Sequence, residues 1–274
     1  MVQYVWNFAY GSNMGSLSLT ERRKIYPVES HPAILTGYML SFNYKSIPFI
    51  NPASGTVEKS STENAACHGV VHKITIAEFD QLVRSELMCD DEALNSYTIE
   101  KLKVTTYDGV DILATVFVNN PKVVSAASFT SIPCCPHGIV HPACTKRYLK
   151  LLQDGARENN LDAKYIEFLD ALPYYDPSLL DKVVMLVVFL SILPFLLVPL
   201  LTLRCFYTRI EMQGLRIVAA LRIAFCSGAW VVYEYLPDGL RGSNYVKEWC
   251  KFQQRCGFRV LDSGGRQLCE CPAA

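Results

Sequence analysis

Apolar and polar positions alternate into recognisable elements at two places in the first ninety residues. Val2, Tyr4, Val5, Trp6 and Phe8 lead into Tyr10-Gly11-Ser12-Asn13-Met14. The apolar residues predict a strand, the Gly-Ser-Asn turn ends it, and a polar, helix-capable stretch follows. Further on, His68-Gly69-Val70-Val71-His72-Lys73-Ile74 predicts a second strand. Thr75 then caps a helix, and Glu78 three residues later completes a capping-box spacing. Phe79, Leu82 and Val83 give that helix an apolar face, and Glu86, seven residues after Phe79, falls on the same face near its end.

A different pattern begins at Val183. The 21 residues from Val183 to Leu203 carry no charge. As a helix at about 1.5 Å per residue they reach about 31 Å, matching a bilayer core of about 30 Å. The run is apolar on all sides, unlike a soluble surface helix. Pro194 and Pro199 are tolerated in membranes. A transmembrane helix over 183–203 is the expectation; a hairpin bent at the two prolines is the alternative. Leu215 to Leu236 is also apolar but carries Arg216, Arg222 and Glu234, which suits the membrane interface or a poor second span. Arg204, Arg209, Arg216 and Arg222 on the C-terminal side would by charge alone place that side in the cytosol. The start, Met1-Val2-Gln3-Tyr4, has no basic region or cleavable apolar run, so no secretory signal is expected and the N-terminal domain is placed in the cytosol.

Composition narrows the function classes. The chain has 274 residues with formal net charge zero, which leaves no basic surplus for neutralising phosphates, so no nucleic-acid partner is expected. Eleven cysteines are too few for a disulfide-built scaffold of this length. No P-loop, dinucleotide fingerprint or H-E-x-x-H motif is present. Cys134, Cys135, His137, His141 and Cys144 fall within eleven residues, but adjacent cysteines and two prolines fit zinc spacing poorly, so no metal is expected there. The cysteines of the tail, Cys250, Cys256, Cys269 and Cys271, suit either a metal or disulfides.

Two features carry candidate chemistry. A strand ending in a small, polar loop leaves backbone N–H groups without ladder partners, which suits a carboxylate or developing oxyanion. Gly11 lets a ligand approach that backbone closely. An ordinary strand-to-loop turn would look the same. Glu86 on a core-directed face must be paired, protonated or functional, unless it curls out to solvent at the helix end. Ser12 has no nucleophile elbow and no motif-placed histidine, which argues against a serine hydrolase.

Phe8-Ala9-Tyr10-Gly11-Ser12-Asn13-Met14 and the Gly69-Val70-Val71 strand, with a glutamate seventeen residues after Gly69, together resemble the gamma-glutamylcyclotransferase family. A third segment agrees in order and spacing: Tyr148, then Gly155-Ala156-Arg157-Glu158-Asn159, then Tyr165 to Leu169. The likeness covers about residues 4–175. With a membrane segment added, the chain is similar to fungal cyclotransferases of gliotoxin-type (epidithiodioxopiperazine) toxin pathways. The resemblance implies an α+β fold, a small mixed β-barrel flanked by helices, over residues 1–175. The transmembrane helix at 183–203 and an amphipathic segment and cysteine-containing tail over 204–274 would follow. It implies a cofactor-free reaction in which the substrate's α-amine closes on its γ-amide carbonyl and releases 5-oxoproline. Glu86 would be the general acid/base. Phe8, Ala9, Tyr10, Gly11, Ser12 and Asn13 would bind the glutamyl group through backbone N–H groups. Tyr148 would close over the substrate, or else is a core tyrosine.

The chain departs from the family pattern at Asn7, where an aromatic residue is common, at Leu87, where glycine is common, and at Ala143, where serine is common. Glu78 and Glu92 are alternatives to Glu86 that match the spacing worse. The expected substrate is a γ-glutamyl amino acid or glutathione-derived adduct. The rivals are release of a γ-glutamyl group from a polyamine or isopeptide, and a membrane-attached protein that binds a carboxylate ligand without turnover.

Overall fold

The computed structural model describes residues 2–47, 51–60, 65–86, 88, 90–120 and 144–177, with six helical positions between 179 and 190. Its centre is a closed barrel. β1 (Tyr4–Ala9), β2 (Glu29–Thr36), β5 (Ala66–Thr75), β6 (Tyr97–Thr106) and β7 (Asp111–Asn119) close it in the order β1-β5-β2-β6-β7. β3 (Tyr38–Ile47) and β4 (Asn51–Lys59) form a separate two-stranded sheet. The barrel is mixed because β1 pairs antiparallel with β5 and parallel with β7. Closure removes free edges, so the middle of β5 and β7 is buried on both faces. That explains why Gly69-Val70-Val71 and Ala114 to Val118 are near-continuous apolar runs rather than alternating ones.

Among the described residues the helices α1 (Ile76–Ser85), α2 (Lys146–Glu158) and α3 (Ala163–Ala171) pack on the barrel. α1 starts where the sequence predicts. Thr75 Oγ accepts from the Glu78 N–H, and the Glu78 carboxylate accepts from the Thr75 N–H at 2.9 Å. Leu82 is fully buried in a small cluster with Leu19, Ile25, Ile74, Met88 and Phe117, and Phe79 and Val83 pack against it. The larger core joins barrel to helices through Phe8, Met14, Val70, Val116, Leu149, Leu152 and Leu169.

The expected transmembrane helix, apart from Val183, Leu186, Val187 and Leu190, lies outside the described residues, as do the 204–274 tail and the cysteine–histidine loop other than Cys144. Those four positions are helical and exposed. Among the described residues no helix is long and apolar enough to cross a membrane.

Candidate active site

β1 leaves the barrel ladder after Ala9, opposite Val70, and turns at Gly11 into a short 3₁₀ turn over Ser12–Met14. The side chains before that turn point inward. Phe8 is buried, and its ring lies so close to Gly69 that a Cβ there would stand 2.7 Å from it and 2.4 Å from the Ala9 carbonyl oxygen. Tyr10 is also buried, with its hydroxyl donating across the barrel to the Phe117 carbonyl. Burial holds that phenol well above its usual range, so it stays a neutral donor. With both aromatic side chains spent on the core, the loop offers its backbone and the side chains of Ser12 and Asn13 to the space above.

The loop is fixed from three directions. Met14 N–H bonds to Gly11 C=O within the turn. From the barrel, His72 Nε2 lies 3.2 Å from the Asn13 carbonyl oxygen, and Ser30 Oγ lies 2.8 Å from Nδ1. A carbonyl can only accept, so Nε2 carries the proton and Nδ1 accepts from the Ser30 hydroxyl. Desolvation pushes the His72 imidazole down to about 4, which keeps this neutral tautomer at neutral pH. From α2, Glu158 accepts from the Ser16 N–H at 3.1 Å and Asn159 Nδ2 donates to the Met14 carbonyl at 2.9 Å. Gly155 lets that helix approach Gly15; a Cβ on it would stand 2.9 Å from the Gly15 nitrogen. The Gly-Ala-Arg-Glu-Asn segment singled out in the sequence is thus a clamp on the loop.

Glu86 sits at the C-terminal end of α1, partly buried, with Oε1 2.7 Å from Arg23 Nη2. Arg23 also donates to Ser85 Oγ, and its carbonyl accepts from Gln81 Nε2. Tyr148, in the first turn of α2, accepts a hydrogen bond from the Gly55 N–H at 3.2 Å. Burial raises its phenol well above the usual range, leaving a neutral O–H able to donate into the cavity. Gly55 and Gly11 make room for it: a Cβ would meet the Tyr148 oxygen at 2.9 Å from Gly55 and at 3.1 Å from Gly11.

These groups enclose one cavity of about 210 Å³. Phe8 to Asn13, Glu86 and Tyr148, the residues picked out in the sequence, all line it. Glu78 and Glu92 do not. Glu78 is consumed by the capping box and by the Tyr26 N–H, and Glu92 belongs to a 3₁₀ turn (Glu92–Leu94). The cavity also includes Asn7, Arg23, Ser54, Gly55, Tyr97 and Phe117, which no motif signalled. Asn7 Oδ1 and Asn13 Oδ1 are buried without a hydrogen-bond partner among the described residues. Each such acceptor costs about 1–3 kcal/mol, a cost usually retained for a reason. The arrangement combines a carboxylate, a neutral phenol and a turn of backbone amides in a space smaller than the ~300–1,000 Å³ of sites for drug-sized ligands. It can take a group of amino-acid size and move a proton beside it.

No group of three or more His, Cys, Asp or Glu among the described residues could hold a metal ion. Cys144 is a buried free thiol pushed up to about 12 by desolvation, and hence neutral.

No family model matches the chain. It is 24% identical over 179 residues to the gamma-glutamyl cyclotransferase gliK of Aspergillus fumigatus, covering 63% of this chain and 64% of that protein. It is 26% identical over 170 residues to the gliK of Claviceps purpurea, covering 60% of this chain and 68% of the relative. The chain therefore spans less than two thirds of the length of the Aspergillus protein. A solved structure named gamma-glutamyl cyclotransferase is 20% identical, with a TM-score of 0.49 over 66% of this chain and 98% of that one. In three motifs in order, and in its identity to these two proteins, the chain is similar to the gamma-glutamyl cyclotransferases.

Proposed function

We propose that the chain is a gamma-glutamylcyclotransferase that releases 5-oxoproline from a γ-glutamyl amine. The observation that carries this reading is the placement of Glu86 in one small cavity with the Gly11–Asn13 backbone and Tyr148. In the resting site Glu86 pairs with Arg23. A substrate α-ammonium enters beside that carboxylate, where the unsatisfied Asn7 and Asn13 oxygens make the wall rich in acceptors. Glu86 takes a proton from the ammonium, and the freed amine attacks the γ-carbonyl carbon. The loop amides and the Tyr148 hydroxyl face the developing oxyanion. The C–N bond to the leaving amine then breaks as Glu86 returns the proton to the departing nitrogen. A second proton leaves the ring nitrogen and a second is taken up by the released amine, so the solution gains and loses none at neutral pH. Nucleophile and electrophile share one molecule, so fixing the chain in a near-attack shape is itself a large part of the rate.

We extend the reading to glutathione-derived adducts of sulfur-containing secondary metabolites, the mycotoxin setting that the motifs resemble. The apolar run at 183–203 would anchor the domain to a membrane with the catalytic part on the cytosolic side. Val183, Leu186, Val187 and Leu190, at the start of that run, are exposed apolar residues, which suits such an anchor.

The test uses the full chain and its Glu86→Gln variant, incubated with γ-glutamyl dipeptides and S-substituted glutathione adducts while 5-oxoproline is quantified. Product from the wild type with a loss of at least about 100-fold in a folded variant supports the reading. Ligand binding that survives Glu86→Gln, with no product from either protein, would instead make it a binding protein.

A further inference from the structure

Next to the cavity the surface opens into a larger groove of about 1010 Å³. The two share Ser12, Arg23 and Tyr148, so the groove begins at the mouth of the catalytic site. Its walls are strongly basic. Arg22 comes from the end of a π-type turn over Leu17–Arg22, and Lys146 and Arg147 come from the first turn of α2.

Two cations in a first helical turn face the positive end of the helix dipole, where acidic residues are favoured. α2 has no acidic residue there. That placement works against the helix and so points away from a purely structural role. The other charges largely cancel. Arg23 is engaged by Glu86, and Lys150 pairs with Asp154 at 3.0 Å. Among the described residues the remaining carboxylate of the lining is Asp176. Among the described residues neither Arg22 nor Arg147 has an ion-pair partner, and the Lys146 ammonium rests over the Tyr174 ring at 5.5 Å. Leu17, Leu151 and Pro177 supply apolar surface in the same groove.

This inference rests on the cyclotransferase reading. The 210 Å³ cavity is sized for the glutamyl half of a substrate. The leaving half must then pass the wall formed by Ser12, Arg23 and Tyr148 into the groove. We infer that Arg22, Lys146 and Arg147 select leaving amines that carry a carboxylate. The leaving group is a peptide-like amine with an apolar substituent on the leucine-lined side, and cationic polyamines are rejected by like charge.

The experiment compares S-benzylglutathione, its glycine carboxamide and γ-glutamylputrescine as substrates of the full-length protein at low and high ionic strength. The expected kcat/KM for the carboxylate exceeds that for the carboxamide by about tenfold or more, and the polyamine adduct is poorer still. The preference shrinks as salt screens the groove. In the Arg22→Gln/Arg147→Gln double variant the ratio falls to within about twofold, the change falling in KM. Equal rates on carboxylate and carboxamide, or a ratio that survives the double variant, overturn the inference while leaving the cyclotransferase reading intact. If no substrate is turned over, that reading falls. Calorimetric binding of S-benzylcysteinylglycine against its carboxamide then decides the groove separately, with equal affinities refuting it. Loss of binding to phosphatidylserine-containing vesicles in the double variant, with an unchanged substrate ratio, would make these cations a membrane-facing patch instead.

Discussion

His72 links the stability of the barrel to the geometry of the loop, and acid should expose that link. The imidazole is 3% exposed, and burial depresses it from the usual 6.5 to about 4. The unfolded chain therefore takes up the proton first as pH falls. Its contribution is whole above about pH 6.5 and is lost progressively as pH drops toward about 4. With those two values the loss between pH 7 and pH 4.5 is about 2.5 kcal/mol, a sizeable share of a typical domain's stability. Protonation also makes Nδ1 a donor, which turns the Ser30 hydroxyl to accept, while Nε2 goes on donating to the Asn13 carbonyl. The assay is urea denaturation of wild type and His72→Gln at pH 7, 6, 5 and 4.5. The difference between the two proteins isolates His72, because half-buried His68, which burial also depresses, titrates identically in both. Gln keeps an N–H for Asn13 but has nothing to protonate. The wild type should lose about 2.5 kcal/mol more than the variant over that range. Parallel pH curves would refute the claim that a buried, neutral His72 holds the loop.

The remaining predictions concern the cavity wall. Arg23→Gln should change stability by less than about 1 kcal/mol, since the pair with Glu86 is partly solvated, yet lower kcat/KM by about tenfold because Glu86 loses its positioning; denaturation and 5-oxoproline release measure the two. Gly55→Ala should displace the Tyr148 hydroxyl and cost about 1–3 kcal/mol, and pairing it with Tyr148→Phe should cost less than the sum in a double-mutant cycle. Gly69→Ala places a methyl group 2.4 Å from a barrel carbonyl and should abolish soluble, folded protein, read by circular dichroism and yield. Glu158→Gln should weaken the clamp on Ser16 by about 1 kcal/mol and raise KM more than it lowers kcat.

Much of the candidate site was legible because its parts are local. A strand that ends in Gly-Ser-Asn, a capping box at Thr75 and Glu78, and an apolar face leading to Glu86 are all set by neighbours within a few residues. The likeness of three segments in order supplied the rest of the expectation, including Tyr148. Nothing local announced Arg23, which meets Glu86 across 63 positions. Nor did it announce Gly55, on a hairpin outside the barrel, or the partnership of His72 with Asn13 across 59 positions. Glu78 and Glu92 could be set aside once the cap and the turn that hold them were seen.

The sequence by itself determined where β1, β5 and α1 lie, because capping, turn chemistry and apolar periodicity act over one or two helical turns. The uncharged length of 183–203, and the expectation of a membrane segment, came from the same local reading. Closure of the barrel decided what those elements do together. Pairing β1 with both β5 and β7 spent Phe8 and Tyr10 on the core and turned the loop's backbone outward. Packing α2 against Gly15 brought Tyr148 over that backbone, and the end of α1 set Glu86 against Arg23. Such contacts depend on burial between distant segments, and only the folded chain brings those segments together.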